Sequence, residues 1–432
     1  MRVLWLSTTS GLFKVKNIQN GYNGIGWIAS LQKVIQEQKD IDLGFVYLSS
    51  IPLDKQIDNN TTYYPIYKAP QKGFVKLKEY YGGYKHINTE QYVTEIMKII
   101  QDFQPNIIHL FGIENPLATI LGKTTVPIVV HLQGLLAPYD NAFFPIGLNK
   151  KSFLFPFSIN EWILRNGYIY AKNSIHVRGE REKKLFKKVI YTMGRTDWDY
   201  QVSQLLAPQS QYYHVDEVLR DIFYQNAGTW ELEKLPNKLI ITSTISDTIY
   251  KGLDLILKTA YLLKTETNID FEWNVIGIHP STKIIRFFEK ATQIKSNEVN
   301  IHYKGVLNAD ELCDNLLRSH VYVHPSYIDN SPNSVCEAQL LGVPVIGTNV
   351  GGIPSLIKDH VNGILVPANA PYELAYHLKD LYQKKELIQE LSKQGYLSAN
   401  QRHNRDKILT DLIKTYQTIT KNDSAIHQKE NN

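Results

Sequence analysis

Short apolar runs alternate with segments of helical period along most of the chain. In the first half, residues 3–6 predict a strand, and a glycine-containing loop, GYNGIGW, follows. Trp27, Leu31 and Ile35 then recur every four residues with Ile28 beside them, the spacing of an amphipathic helix. Residues 43–48 predict a second strand, and residues 89–104 a helix with Val93, Ile96, Met97 and Ile100 on one face. Residues 106–110 and 127–132 predict buried strands, and 189–193 the last strand of this half. The second half repeats the pattern, with strands at 239–243, 272–276, 299–303, 321–324, 344–346 and 364–366 and helical segments between them. Strands alternating with helices predict parallel sheets covered on both faces, so the expected fold is two α/β, Rossmann-like domains facing each other across a cleft. Residues 216–236 lack the alternation and predict a connection, and residues 421–432 a polar, disordered tail.

Ligands of such sheets bind beyond the C-terminal ends of the strands, so the loops there are where chemistry is expected. In the first loop, Gly24 and Gly26 allow close backbone approach to an anion at the start of the following helix, or form a plain tight turn. The richest stretch runs from His324 to Ile357, HPSYIDNSPNSVCEAQLLGVPVIGTNVGGIPSLI. Ser331 suits an N-cap, Pro332 the first helical position, and Gly342 the stop. The amides of Asn333, Ser334 and Val335 would then face the cleft and hold a diphosphate without a metal. Glu337, one turn on, is placed to accept hydrogen bonds from vicinal hydroxyls of a ribose, and Asp329 from those of a transferred sugar. After residues 189–193, Arg195 and Asp197 are expected near the cleft mouth, holding an anionic group and a hydroxyl of an acceptor or pairing structurally.

Composition narrows the class. The chain has 432 residues, 43% hydrophobic and 21% charged, a globular balance large enough for two cores. Cys313 and Cys336 are the two cysteines, and neither sits in a metal-ligand spacing; a cytosolic protein without disulfides is expected. The net charge of +5 suits phosphates or an anionic membrane. Residues 68–86 hold five Lys among aromatics and residues 143–157 hold five Phe around two Lys, which suits peripheral attachment to the inner face of the plasma membrane or, alternatively, a solvated loop and a buried hinge. No RNA-binding motif accompanies them, and nucleic acid is not an expected partner.

Asp329 and Glu337, separated by seven residues and followed by Gly342, Pro344, Val345 and Ile346, resemble the hallmark of glycosyltransferase family 4. YKGLDLILKTAYLL at 250–263 resembles the segment whose lysine, here Lys251, neutralises the donor diphosphate; Ile245 stands where the family usually has an arginine. HYKGVL at 302–307, with Gly305, resembles the loop that reads the nucleotide base. PNIIHLFGIE at 105–114 and PIVVHLQGLL at 127–136 resemble strands of the first domain; Gln133 occupies a place often held by histidine, with His131 two residues earlier.

The resemblance implies the GT-B fold, with an acceptor domain over 1–215, the connection at 216–236 and a nucleotide-sugar domain over 237–420. It implies a metal-independent retaining transferase that takes a UDP- or GDP-sugar to a glycan or lipid-linked acceptor in surface-polysaccharide synthesis. Lys251, Asp329 and Glu337 would carry the chemistry, and Gln133 would join Arg195 and Asp197 on the acceptor side. The rivals are a non-catalytic sugar-nucleotide-binding subunit and an epimerase of the same fold; the Asp329/Glu337 spacing with Lys251 speaks against the epimerase.

Overall fold

The structure is a computed structural model that describes residues 1–13, 26–68, 90–148, 167–232 and 237–430, with only the helical backbone considered over 424–430. The first domain holds β1 (Arg2–Leu6), α1 (Trp27–Gln36), β2 (Asp42–Ser49), β3 (Gln56–Asp58), β4 (Thr61–Tyr67), α2 (Glu90–Phe103), β5 (Ile107–Phe111) and β6 (Ile128–His131). It continues with α3 (Leu136–Asn141), α4 (Tyr168–Phe186), β7 (Tyr191–Gly194), α5 (Asp197–Leu206) and β8 (Gln211–His214). The connection carries α6 (Asp221–Gln225). The second domain follows with β9 (Leu239–Thr244), α7 (Leu253–Glu266), β10 (Phe271–Ile276), α8 (Lys283–Thr292), β11 (Ile301–Gly305), α9 (Ala309–Leu317) and β12 (Val321–His324). It ends with α10 (Asn333–Leu341), β13 (Val345–Thr348), β14 (Ile364–Val366), α11 (Pro371–Gln383) and α12 (Lys385–Arg402), before a last helix, α13 (Arg405–Glu430).

Eight strands form the first sheet in the order β3-β4-β2-β1-β5-β6-β7-β8, and six form the second in the order β11-β10-β9-β12-β13-β14. Pairing is parallel throughout except between β3 and β4. Strand alternation divides the first core into two. Leu4, Leu6, Ile108 and Leu110 face α2, while Val3, Trp5, Ile107 and Val129 face α1. Residues 189–193 are not the last strand of this half, because β8 adds in parallel beyond β7. Its sequence, QYYH, is an edge strand with no fully buried residue, so it lacks the apolar signal that betrays the inner strands.

Three other expectations change. The polar segment 421–432 is not a tail from its start: α13 runs on to Glu430. That helix leaves the second domain and completes the first one's core, burying Ile408, Leu412, Tyr416 and Ile419 against β1 and β5 residues. The second domain's packing therefore ends before residue 405 rather than at 420. In the described part of the stretch 143–157, Phe143 is turned inward while Ile146 is exposed. Phe143 is 2% exposed within the second domain's core, and Phe144 and Leu148 pack against it, so the apolar run spans between domains. Residues 69–86 and 149–157 of the two aromatic, basic stretches lie outside the described residues.

The crossing helix is fastened by a buried polar chain. The Tyr416 hydroxyl accepts from Trp5 Nε1 at 3.1 Å and meets His109 Nδ1 at 2.5 Å, and His109 Nε2 meets His131 Nδ1 at 3.1 Å. Burial lowers the His109 pKa to about 3 and that of His131 well below the usual value, so both rings are neutral. Tyr416→Phe should strand these partners and cost about 1–3 kcal/mol in urea denaturation. Gln417→Ala, on the exposed side of the same helix, should be near neutral.

Candidate active site

The site is assembled where the two sheets' C-terminal strand ends meet. After β9 a short 3₁₀ turn, Ile249–Lys251, leads into α7 through Gly252 at φ +78°. A Cβ at Gly252 would lie 2.0 Å from the Pro325 carbonyl oxygen, so only glycine lets this turn close on the loop after β12. The closure brings Lys251 to Asp329. The Asp329 carboxylate is 8% exposed. Its Oδ2 accepts from Lys251 Nζ at 2.5 Å and meets His324 Nε2 at 2.9 Å, and its Oδ1 accepts the Asn330 amide at 3.1 Å. Burial alone would raise this carboxyl, but the Lys251 ammonium and the His324 contact outweigh it and hold the group well below the usual carboxylate range.

From there the network continues along β12. Tyr322 and His324 alternate onto one face, with the phenol 3.4 Å from His324 Nδ1. The Tyr322 hydroxyl donates to Ser334 Oγ at 2.7 Å, at the start of α10. Lysine, carboxylate, imidazole, phenol and helix N-terminus are thus one hydrogen-bonded unit. Its two ends, Lys251–Asp329 and Ser334, are residues that the sequence pattern singles out. Its middle, His324 and Tyr322, carries no signal in the sequence beyond the period-two spacing of YVH.

Helix α10 begins one residue later than expected. Pro332, not Ser331, is the N-cap, and no side chain caps the helix. Ser331 instead donates to Glu217 Oε1 at 2.8 Å. The Val335 amide is not free, because it donates to the Pro332 carbonyl at 3.0 Å; this leaves Asn333 and Ser334 as the first-turn amides facing outward. Gly342 ends the helix in the left-handed region at φ +91°, as its position predicts. One turn in, Glu337 is 2% exposed and accepts both arms of Arg220, Nε at 2.8 Å and Nη2 at 2.7 Å. Burial raises this carboxyl despite the opposing Arg220. Nothing local to Glu337 announced its partner, which lies 117 residues earlier in the connection.

On the first domain's side, Gln133 Oε1 accepts from Trp27 Nε1 at 3.1 Å, and its main-chain carbonyl accepts from Asn330 Nδ2 at 3.2 Å. Thr196 donates to the other side of that amide, Asn330 Oδ1, at 3.2 Å. Asp197 is exposed, with its amide on Ser355 Oγ at 2.9 Å. Arg195 is not a cation at the cleft mouth. It is 2% exposed, lies over the Trp27 ring at 4.9 Å, donates to the Leu132 carbonyl at 3.3 Å and sits 4.0 Å from Glu217. Nor do Arg195 and Asp197 pair; the Arg195 amide donates to Asp199 instead, at 2.9 Å. Gly26 caps α1 with open space where a side chain would be, Gly305 likewise at φ +73°, and Gly24 lies outside the described residues.

Between the domains lies Glu217, fully buried. It accepts from Ser331 and from the Cys336 thiol, and its carbonyl meets His403 Nδ1 at 3.0 Å. Glu217, Cys336 and His403 lie close enough to share a metal ion. The charge balance disfavours one: burial would raise the Glu217 carboxyl, yet Arg195 and Arg402 bring it down to about 2. Those guanidiniums already supply the countercharge, and burial keeps the Cys336 thiol protonated.

A two-domain parallel α/β fold, with a lysine–carboxylate pair and an open helix N-terminus at the strand ends, defines a GT-B protein. The solved structures agree on the fold. Sucrose-phosphate synthase from Thermosynechococcus elongatus superposes with a TM-score of 0.70 at 12% identity, over 97% of this chain and 98% of that one. Anabaena HepE, in complex with UDP and glucose, gives 0.59 at 13% identity over 96% and 99%. Residues 229–398 match the family described as Glycosyl transferases group 1. The D-inositol 3-phosphate glycosyltransferase of Paenarthrobacter aurescens is 32% identical over 150 residues, 34% of this chain and 36% of that protein. A putative teichuronic acid biosynthesis glycosyltransferase, TuaC of Bacillus subtilis, is 33% identical over 117 residues, 27% of this chain and 30% of that protein. The chain thus aligns with about a third of the length of these relatives.

Arg220→Ala should leave Glu337 buried without its bidentate partner and cost about 3 kcal/mol at neutral pH. Because Glu337 escapes the penalty by taking up a proton, the loss should shrink as pH falls. Urea melts of wild type and variant at pH near 7 and near 5 measure it, a gap that does not narrow being the contrary result.

Proposed function

We propose that this chain transfers a sugar from a nucleotide donor, a UDP- or GDP-sugar, to a glycan or lipid-linked acceptor, with retention of configuration and without a metal ion, in the synthesis of a surface polysaccharide. The observation that carries the reading is the continuous unit from Lys251 through Asp329, His324 and Tyr322 to Ser334. It links the Lys251 ammonium to the first turn of α10, and a departing diphosphate held between that ammonium and the amides of Asn333 and Ser334 would find positive charge already in position. Asp329, ionised and held by His324, remains to accept hydroxyls of the donor sugar, and Glu337 accepts those of the ribose. Gly305 leaves room at the end of β11 for the base. With the leaving diphosphate able to take the acceptor's proton, no side-chain base is required. The UDP complex of HepE and the teichuronic acid assignment of TuaC support the donor class and the polysaccharide setting. Among the described residues no helix is long and apolar enough to cross a membrane, and a lipid-linked acceptor would be met by peripheral contact.

Lys251→Ala should lower turnover by ~10²-fold or more while the protein still folds, since the developing charge on the diphosphate loses its ammonium. A panel of nucleotide sugars, read by nucleoside diphosphate release, tests this; near-normal turnover in the variant would sink the role. In the same assay, activity should survive EDTA. Activity lost with the chelator and restored by magnesium or manganese would contradict the metal-independent reading.

A further inference from the structure

We infer that Glu114, on the loop after β5, is the first-domain group that binds the acceptor hydroxyl opposite Lys251 and Asp329, an inference that rests on the transferase reading above. Strand β5 ends at the same sheet edge as β6 and β7, whose following residues Gln133 and Arg195 reach the domain junction. Gly112, at φ +87°, makes room for the side chain: a Cβ there would lie 2.5 Å from both Glu114 carboxylate oxygens. The carboxylate takes a hydrogen bond from its own main-chain amide, and the rest of the loop is held by other groups. Asn115 Nδ2 donates to the carbonyls of Phe111 and Gly112 at 2.8 and 2.7 Å, and its Oδ1 accepts the Leu117 amide. Arg181 of α4 donates to the Glu114 carbonyl at 2.7 Å. Meanwhile Oε2 of the carboxylate is buried and accepts no hydrogen bond among the described residues.

A buried carboxylate oxygen without a structural partner costs stability, which is understandable where a ligand completes it. Its neighbourhood is the cleft. Asp329, Tyr250, Asp199 and Glu114 all act electrostatically on one phenol, Tyr139, whose ring is 5.4 Å from that of Tyr250, the residue before Lys251. Arg178, on the same helix as Arg181, acts on Tyr250 as well. Burial raises the Glu114 carboxyl to about 7, against the pull of its own main-chain amide, with Glu182 adding to the rise and Arg178 and Arg181 opposing it. It is therefore half charged near neutrality, and acceptor binding through the carboxylate form should strengthen as pH rises through that value.

Glu114→Gln tests this with water as the acceptor, in the slow hydrolysis of whichever nucleotide sugar the wild type cleaves in the panel above. Nucleoside diphosphate affinity by calorimetry should stay within about twofold of wild type, because the donor side is untouched. Hydrolysis should fall by ~10-fold or more, and the wild-type decline in rate from about pH 8 to about pH 6 should disappear. The melting temperature above about pH 7 should not drop, since glutamine keeps the shape of the side chain while a buried charge is removed. Wild-type hydrolysis with an unchanged pH profile would overturn the inference. So would a loss of nucleotide affinity, which would put Glu114 on the donor side, or a lower melting temperature, which would make it structural. A wild type that cleaves no nucleotide sugar would fell the transferase reading itself, a result seen before any variant is made.

Discussion

Asp329 keeps a full negative charge where water barely reaches, and the geometry of the cleft follows from keeping it there. Transfer of a lone carboxylate to such a place costs several kcal/mol, so the charge has to be met from more than one side. Lys251 meets it from the turn before α7, His324 from β12, and the Asn330 amide from the loop itself. Each partner needs a backbone feature to arrive. Lys251 needs Gly252, which alone tolerates contact with Pro325. The loop at 329–330 needs Gly351 and Gly352, where a Cβ would fall 1.9 and 2.1 Å from the carbonyls of Asp329 and Asn330. The glycines around this motif thus serve one buried charge. Replacing any of them would disturb Asp329 before it disturbed the sheet.

The same logic, with opposite sign, governs the junction between the domains. Arg195 is buried, Arg402 is partly buried, and Glu217 is the anion between them. Glu217 comes from the connection, Arg195 from the end of β7, and Arg402 from the last residue of α12, just before the chain returns to the first domain. Asp216 adds a second anion to Arg402 at 2.8 Å. Three chain segments from both domains therefore share one charge-balanced cluster, which Ser331 and Cys336 tie to the start of α10. Relative motion of the domains has to pivot on this cluster or break it, and breaking it would expose uncompensated charge to a largely apolar surrounding. The crossing helix α13 adds a second restraint through Tyr416.

What could be read from the chain beforehand divides along the range of the interactions. Inner strands such as IIHLF and IVVH are buried along their whole length, so their apolar runs announce them. The start and stop of α10, the Lys251 turn and the paired acids are local patterns of a few residues, and they were legible to within one residue. The failures are long-range. Ser331 looks like a cap until Glu217, 114 residues away, accepts its hydroxyl. Arg195 looks like a surface cation until Trp27 and Glu217 enclose it. Phe143 looks like an exposed aromatic until the second domain's core receives it. Residues 405–419 follow the second domain in sequence and belong with the first in packing, which no periodicity can reveal. β8 failed for another reason: an edge strand buries too little to carry a pattern.

On the proposed reading, the charges that would hold a donor are already paired without one, Lys251 with Asp329 and Arg220 with Glu337. Donor binding is then an exchange of partners rather than a gain of new ones, and the two pairs differ in how they can take part. Asp329 retains the hydrogen bonds of His324 and the Asn330 amide when Lys251 turns toward a diphosphate, so it is not left without donors. Glu337 is gripped at both oxygens by one guanidinium, in a bidentate geometry that no single hydroxyl can replace. Arg220 therefore has to stay while the ribose hydroxyls use the remaining lone pairs of the same carboxylate. The lysine pair is built to open and the arginine pair to hold. That asymmetry lets an anion enter the cleft while both carboxylates keep hydrogen-bond donors.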